Sequence, residues 1–229
     1  MHKGIFITGT DTGVGKTFIA VGLLKALRKA GFNACPMKPV ETGCRIKDRK
    51  LIPEDTIKLI NASGVKEPLD IINPYRFRHP LAPSVASEIE GIPIRKQKIL
   101  SAYHYLSNKY DITIVEGAGG IMVPVYKKYL FLDLIADLGL PIIIVSRPGL
   151  GTINHTCLTI DAAKRRKINI LGVVINYPDR MKSGLAGKTN PEIIEKLSGV
   201  HILGTVPFSK KGAHCLKSVF HNIKKKLIR

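Results

Sequence analysis

The chain has 229 residues, 45% of them hydrophobic, with no tryptophan; that excludes a globally disordered chain and leaves room for one large α/β domain with a sizeable core. Lys and Arg number 36 against 17 Asp and Glu, a formal +19, which could serve nucleic acid, an anionic membrane or anionic substrates; because the basic residues are scattered and not interleaved with aromatics, nucleic-acid binding is not expected and the charge is read first as a property of the source proteome. No apolar run reaches the roughly 20 residues of a membrane helix, and the chain enters its first strand directly, so neither a membrane span nor a secretory leader is expected.

The run Ile5-Phe6-Ile7 predicts a short buried strand, and Phe18 to about Lys29 predicts a helix stopped at Gly31. Between them lies Gly9-Thr10-Asp11-Thr12-Gly13-Val14-Gly15-Lys16-Thr17. A strand, a glycine-rich turn and a helix start form the context of a phosphate-binding loop. Glycines allow close backbone approach, and free N–H groups at the helix start face the anion. Lys16 is expected at the terminal phosphates and the Thr17 hydroxyl on Mg²⁺. The spacing departs from G-x-x-x-x-G-K-[ST]: Thr10 stands at the first glycine position and Gly9 lies one place earlier.

Asn33 to Met37 predicts a second strand ending at Lys38-Pro39-Val40-Glu41-Thr42-Gly43. Ligands in open parallel sheets gather at strand carboxyl ends, so Lys38 is either a cationic working group or a solvated lysine before a proline. Cys44 to Pro53 reads as a polar, basic loop, and Pro53-Glu54-Asp55 opens a helix through Asn61, with Asp55 a first-turn capping acid unless the loop returns it to the phosphate site. Asn73 to Pro83 is a proline-rich crossing segment leading into a short helix near Ser84 to Glu88, followed by a helix from about Ile99 to Asn108. Asp111 to Glu116 predicts a buried strand ending in an acid before Gly117-Ala118-Gly119-Gly120, the usual setting of a Mg²⁺ ligand or water-positioning group. A helix from about Phe131 to Asp137 precedes the strand Pro141–Val145. The loop Ser146 to His155 then opens a helix reaching about Arg165; His155 could be catalytic, but with no acid or nucleophile beside it in the sequence a capping or loop-anchoring role is expected.

The strand Ile170–Ile175 ends at Asn176, whose amide suits a nucleobase edge. Residues 180–188 read as a mobile basic loop, Asn190-Pro191-Glu192 as the cap of a short helix, and Ile202–Val206 as a last strand before Pro207. The basic tail from Lys210 reads as one helix, either docked, on a membrane surface, or partly disordered. The four cysteines, Cys35, Cys44, Cys157 and Cys215, show no metal-type spacing and are expected as reduced thiols of a cytoplasmic protein. Repeated strand–helix units predict one α/β domain over residues 1–229, a doubly wound, mostly parallel sheet with helices on both faces.

The phosphate loop resembles the modified loop of the dethiobiotin synthetase family, which carries the same extra residue before its Gly-Lys-Thr. Lys38 to Gly43 is similar to that family's Lys-Pro-x-x-[Ser/Thr]-Gly. Asn73-Pro74-Tyr75, Val115 to Gly120 and Leu150 to His155 match further blocks in the same order, over about residues 3 to 208. The resemblance implies a homodimeric ligase of biotin synthesis. With MgATP, it joins CO₂ to 7,8-diaminopelargonate through a carbamate and a carbamic–phosphoric anhydride, giving dethiobiotin, ADP and phosphate. It implies Lys38, with Lys16, as catalytic; Thr42, Leu150 and Asn154 as substrate contacts, the last two on the partner chain's loop; and Thr17, Asp55 and Glu116 as Mg²⁺ ligands. Gly13, Val14, Gly15, Lys16, Thr17 and Phe18 would hold the phosphates, with Asp55, Glu116, Gly117, Ala118 and Gly119 completing the nucleotide site. Asn176, Tyr177, Pro207, Phe208 and Ser209 would border the base. Ser84 stands where the family often has His, and Lys210 and Lys211 where some members have an acid. A cobyrinate amidase-type ligase would need a glutamine-amidotransferase domain for which the chain is too short. A DNA-partitioning ATPase would need a second lysine early in the loop, which Thr10-Asp11-Thr12 does not supply.

Overall fold

The computed structural model describes residues 4–178, 184–208 and 219–223. Six strands build the central sheet: β1 (Gly4–Gly9), β2 (Ala34–Met37), β3 (Ile112–Gly120), β4 (Ile142–Ser146), β5 (Ile170–Asn176) and β6 (Ile202–Val206). Their order is β6-β5-β4-β1-β3-β2, and every neighbouring pair is parallel. The helices are α1 (Lys16–Lys29), α2 (Glu54–Ser63), α3 (Leu69–Ile72), α4 (Pro83–Ile89), α5 (Lys96–Lys109), α6 (Phe131–Leu138), α7 (Thr152–Arg165) and α8 (Leu185–Ser198).

Strand side chains alternate between two cores, as the two-residue period requires. Ile5 and Ile7 of β1 join Ile19, Leu23, Leu24 and Leu27 of α1 and Leu59 of α2 on one face. Phe6 joins residues of α5, α6, α7 and α8 on the other, among them Leu106, Leu134, Ile160 and Ile194. In β5 the alternation slips at Gly172, where the ladder shifts register; an added Cβ there would meet Leu203 Cγ at 2.6 Å. The sheet is therefore doubly wound with helices on both faces, the expected class.

The chain fills the β2 and β3 side of β1 first and then crosses to β4, β5 and β6. That reversal puts the topological switch at β1, and the loop after β1 opens into the crevice there. α1 ends as the sequence predicts, with Gly31 at φ +89° just beyond its cap.

Four local expectations need correction. Glu116 does not end its strand: β3 runs on to Gly120, which pairs with Gly9 after a register shift. The stretch Cys44 to Pro53 is not a loop but a hairpin, Arg45–Lys47 against Lys50–Ile52, turned by Asp48 and Arg49 at φ 49° and 60°. These positive dihedrals match the strand twist, which is why a two-residue turn closes it. Helix α8 starts at Leu185, before Asn190-Pro191-Glu192, and contains Pro191. Asn190 is no cap; its buried amide donates to the carbonyls of Pro148 and Gly149. Consequently 185–188 belong to a helix, while 179–183 lie outside the described residues.

Residues 219–223 are helical, and Val219 and Ile223 are buried on the α1 face of the sheet. Cys35, Cys44 and Cys157 are free thiols, and Cys215 lies outside the described residues. Among the described residues no helix is long and apolar enough to cross a membrane.

Candidate active site

The loop from Gly9 to Thr17 leaves β1 with Thr10 N–H donating to Val145 O at 3.0 Å. Gly15, at φ +93°, turns the chain into α1. A Cβ at Gly15 would stand 2.1 Å from Asn176 Nδ2, so both the dihedral and the close approach require glycine. Asn176, at the end of β5, donates that Nδ2 to Val14 O at 2.9 Å and braces the loop from behind. Arg147, just past β4, holds the loop's outer edge through Asp11 Oδ2 and Thr12 O, both at 3.1 Å.

Lys16 is the first residue of α1, and its Nζ donates to Asp11 O at 3.1 Å. Burial lowers its pKa from the ordinary 10.5 to about 8, and Lys38 beside it lowers it too, against the pull of Glu116, Asp55 and Asp11. The two lysines belong to one electrostatic site.

Lys38 follows β2 and is almost fully buried. Its Nζ meets Glu116 Oε1 at 2.5 Å, Gly117 O at 3.2 Å and Asp55 Oδ2 at 3.8 Å. Burial disfavours its charge, but Glu116 and then Asp55 outweigh that and hold its pKa above the usual lysine value. Glu116, midway along β3, also accepts from Thr17 Oγ1 at 2.7 Å. Asp55 is held below the usual carboxylate range: burial opposes, and Lys38 and Lys58 prevail.

Asp55 does not cap α2. That helix receives no side-chain bond from its own start at Pro53. Instead the buried Glu41 accepts from the N–H of Asp55 and of Thr56, each at 2.9 Å, and from Thr56 Oγ1 at 2.6 Å. Burial raises the Glu41 pKa, while Thr56 and Lys38 pull it down. With the amides met by Glu41, the Asp55 side chain is free to face Lys38. Glu41 sits inside the Lys38 to Gly43 block, yet sequence reading missed it. Its only signal was an acid in a short stretch between an apolar strand and a glycine.

These groups line one cleft of about 650 Å³ with Thr12, Gly13, Gly15, Thr42, Ala118 and Gly119. The volume is that of a small-ligand site. The segment Pro80 to Pro83 forms another wall that sequence reading left unassigned.

Val14 is buried beneath the loop, and Phe18 is half-buried in the first turn of α1. Gly117 packs against the Phe6 ring. Tyr177 bonds to β6 through Val206 O, and exposed Pro207 and Phe208 follow β6 at the same edge. Ser209 lies outside the described residues. Leu150 and Asn154 are not brought into this cleft; both are exposed, Leu150 at 92%. Their loop is rooted beside the phosphate loop by buried hydroxyls: Ser146 Oγ lies 2.7 Å from both Thr152 Oγ1 and Thr156 Oγ1.

The donor set suits Mg²⁺. Among the described residues no three His, Cys, Asp or Glu side chains converge on a metal site of their own. Thr17, Asp55 and Glu116 offer a hydroxyl and two carboxylates, and Glu116 Oε2 is buried with no partner. Mg²⁺ is held in this way, by one or two carboxylates together with substrate phosphates.

A family model described as an AAA domain matches residues 3–213. The ATP-dependent dethiobiotin synthetase of Thermodesulfovibrio yellowstonii is 45% identical over 215 residues, covering 91% of this chain and 90% of that protein. Its namesake in Methanocaldococcus jannaschii is 44% identical over 206 residues, covering 88% and 92%. The chain belongs to the dethiobiotin synthetase family. Among solved structures, the MinD cell division protein of Aquifex aeolicus superposes with a TM-score of 0.61 at 18% identity, covering 99% of this chain and 98% of that one. A ParA family ATPase of Chlorobium tepidum gives 0.58 at 17%, with both chains fully covered. At such identities the likeness shows a shared P-loop fold and no more. What sets the dethiobiotin synthetase relatives apart is the level of identity, 44–45% over about nine-tenths of the chain.

Proposed function

We propose that this chain is an ATP-dependent ligase that makes dethiobiotin from 7,8-diaminopelargonate and CO₂, releasing ADP and phosphate. The observation that carries the reading is the convergence of Lys16, Lys38, Thr17, Asp55 and Glu116 on one cleft, in a chain more than 40% identical to dethiobiotin synthetases over most of its length.

One substrate amine adds to CO₂, forming a C–N bond and, with loss of one N–H proton to solvent, a carbamate. A carbamate oxygen then takes the γ-phosphoryl group, and ADP departs. The second amine attacks the carbonyl carbon of the resulting anhydride, the C–O bond to phosphate breaks, this nitrogen also loses a proton, and the ureido ring closes. The carbamate and the γ-phosphate are both anions, so catalysis depends on positioning and charge neutralisation. Lys16 holds the terminal phosphates from the loop side. Lys38, beside it, supplies a buried, fixed cation, and burial makes a charge act more strongly. Mg²⁺, held by Thr17, Asp55 and Glu116, would neutralise the nucleotide phosphates. Thr42 contacts the substrate. Asn176, Tyr177, Pro207 and Phe208 border the base. The active unit is a homodimer, and Leu150 and Asn154 reach the substrate of the partner chain; their exposure beside the phosphate loop supports this.

The test is phosphate release by purified protein with MgATP and bicarbonate. Release should require the diamine, and Lys38→Ala should lower it at least 100-fold while MgADP still binds. Release indifferent to the diamine but stimulated by DNA would overturn the reading in favour of a partitioning ATPase.

A further inference from the structure

The stretch Asn73-Pro74-Tyr75 has no part in the reaction proposed above, yet its asparagine is fully buried against the residue on which that reaction turns. Lys38 lies one residue beyond β2 and before Pro39, which brings no N–H. The sheet ladder no longer fixes it. Two other bonds do: Lys38 N–H donates to Ile72 O at 2.8 Å, and Lys38 O accepts from Asn73 Nδ2 at 2.7 Å. Asn73 Nδ2 also donates to Tyr75 O at 3.1 Å. The other amide atom, Oδ1, is buried with no partner. An apolar side chain would fill the space without that penalty, so packing alone does not account for a carboxamide here.

We infer that Asn73 is a positioning residue for Lys38, its carboxamide fixing the main chain from which the lysine reaches Glu116 and Gly117. The inference rests on the reading of Lys38 as a working group. A lysine stem has several rotatable bonds, so a small main-chain rotation at Cα is magnified at Nζ. The 2.5 Å contact with Glu116 Oε1 and the 3.2 Å contact with Gly117 O depend on that anchor. The same amide ties Lys38 to the strand pair Val40–Glu41 and Tyr75–Arg76, on which Glu41 sits. A reaction that requires a cation within a fraction of an ångström is sensitive to such support.

The experiment compares Asn73→Asp, which keeps the volume and loses the donors, and Asn73→Ala with the parent chain. The expected result is a fall of about 10- to 100-fold in kcat for diamine-dependent phosphate release, with the MgADP Kd within about twofold. Tyr75→Phe removes the hydroxyl that accepts from Arg95 N–H at 2.8 Å, so it should lower the melting temperature without lowering kcat. Combining Asn73→Ala with Lys38→Ala should cost no more activity than Lys38→Ala alone. Asn73 variants that melt earlier but keep kcat within twofold, or that lose kcat and MgADP affinity together, would overturn the inference. Full turnover by Lys38→Ala would instead overturn the role given to Lys38. A dead Lys38→Ala beside active Asn73 variants would sink the positioning claim alone.

Discussion

At Gly15, one hydrogen atom in place of a side chain determines whether the phosphate loop can form. Its φ of +93° is costly for any residue with a Cβ, about 1–2 kcal/mol, and that Cβ would also displace the amide of Asn176. Gly15→Ala should therefore fold but bind MgADP at least tenfold more weakly, as read by calorimetry; an unchanged affinity would remove the loop from nucleotide binding. Lys38 and Glu116 show a different constraint. Each is buried and helps make the other tolerable, so removing Lys38 leaves Glu116 without its cation, and removing Glu116 leaves Lys38 with the 3.8 Å contact to Asp55. Their hydrogen-bonded contact also explains why so little of the Glu116 side chain remains open: Oε1 is shared by Lys38 and Thr17, and only Oε2 is without a partner.

Among the elements, α2 and α5 show how polar bonds hold the frame around the site. Glu41, not a residue of α2, satisfies the first amides of that helix. The connection after α2 is tied to α5 by Glu67, which accepts from Lys109 Nζ at 2.7 Å, Tyr110 OH at 2.6 Å and Tyr105 OH at 3.2 Å. Burial pushes the Glu67 pKa up, but these bonds win and hold it below the usual value of 4.5. A carboxyl depressed on folding adds stability above its unfolded pKa and loses it as pH falls through the folded one. Glu67→Gln should therefore be less stable than the parent by about 1–3 kcal/mol at pH 7. In urea titrations that gap should narrow once the pH drops below 4.5. A gap independent of pH would mean that charge on Glu67 contributes nothing.

For the whole molecule, the exposed Leu150 loop offers a surface for a second copy of the chain. A homodimer predicts a mass near twice 25.1 kDa by sedimentation equilibrium. It also predicts that Leu150→Asp retains MgADP binding while diamine-dependent turnover falls at least tenfold. A monomer with full turnover would put the whole substrate site within one chain. The formal +19 charge needs no polyanion partner under this reading, since nucleotide, bicarbonate and the substrate carboxylate are all anions that a positive field attracts.

The sequence alone determined the features that depend on neighbours in the chain. Apolar runs and glycine-rich turns marked the six strands of the central sheet, and the spacing around Gly15-Lys16-Thr17 marked the glycine-rich loop between β1 and α1. Local pattern failed where a distant residue decided the outcome. Gly117 to Gly120 extend a strand because β1 offers them a partner, and Pro191 is carried inside α8. Whether Lys38 was solvated or buried, and whether Asp55 was a cap or a site residue, could not be read from their neighbours. Tertiary structure buries Lys38 by bringing Glu116 onto it from 78 positions away, and it brings Glu41 onto the amides of α2, which leaves the Asp55 side chain facing Lys38. A charge's role is set by what surrounds it in space, and those surroundings come from separate strand tips that only the folded sheet unites.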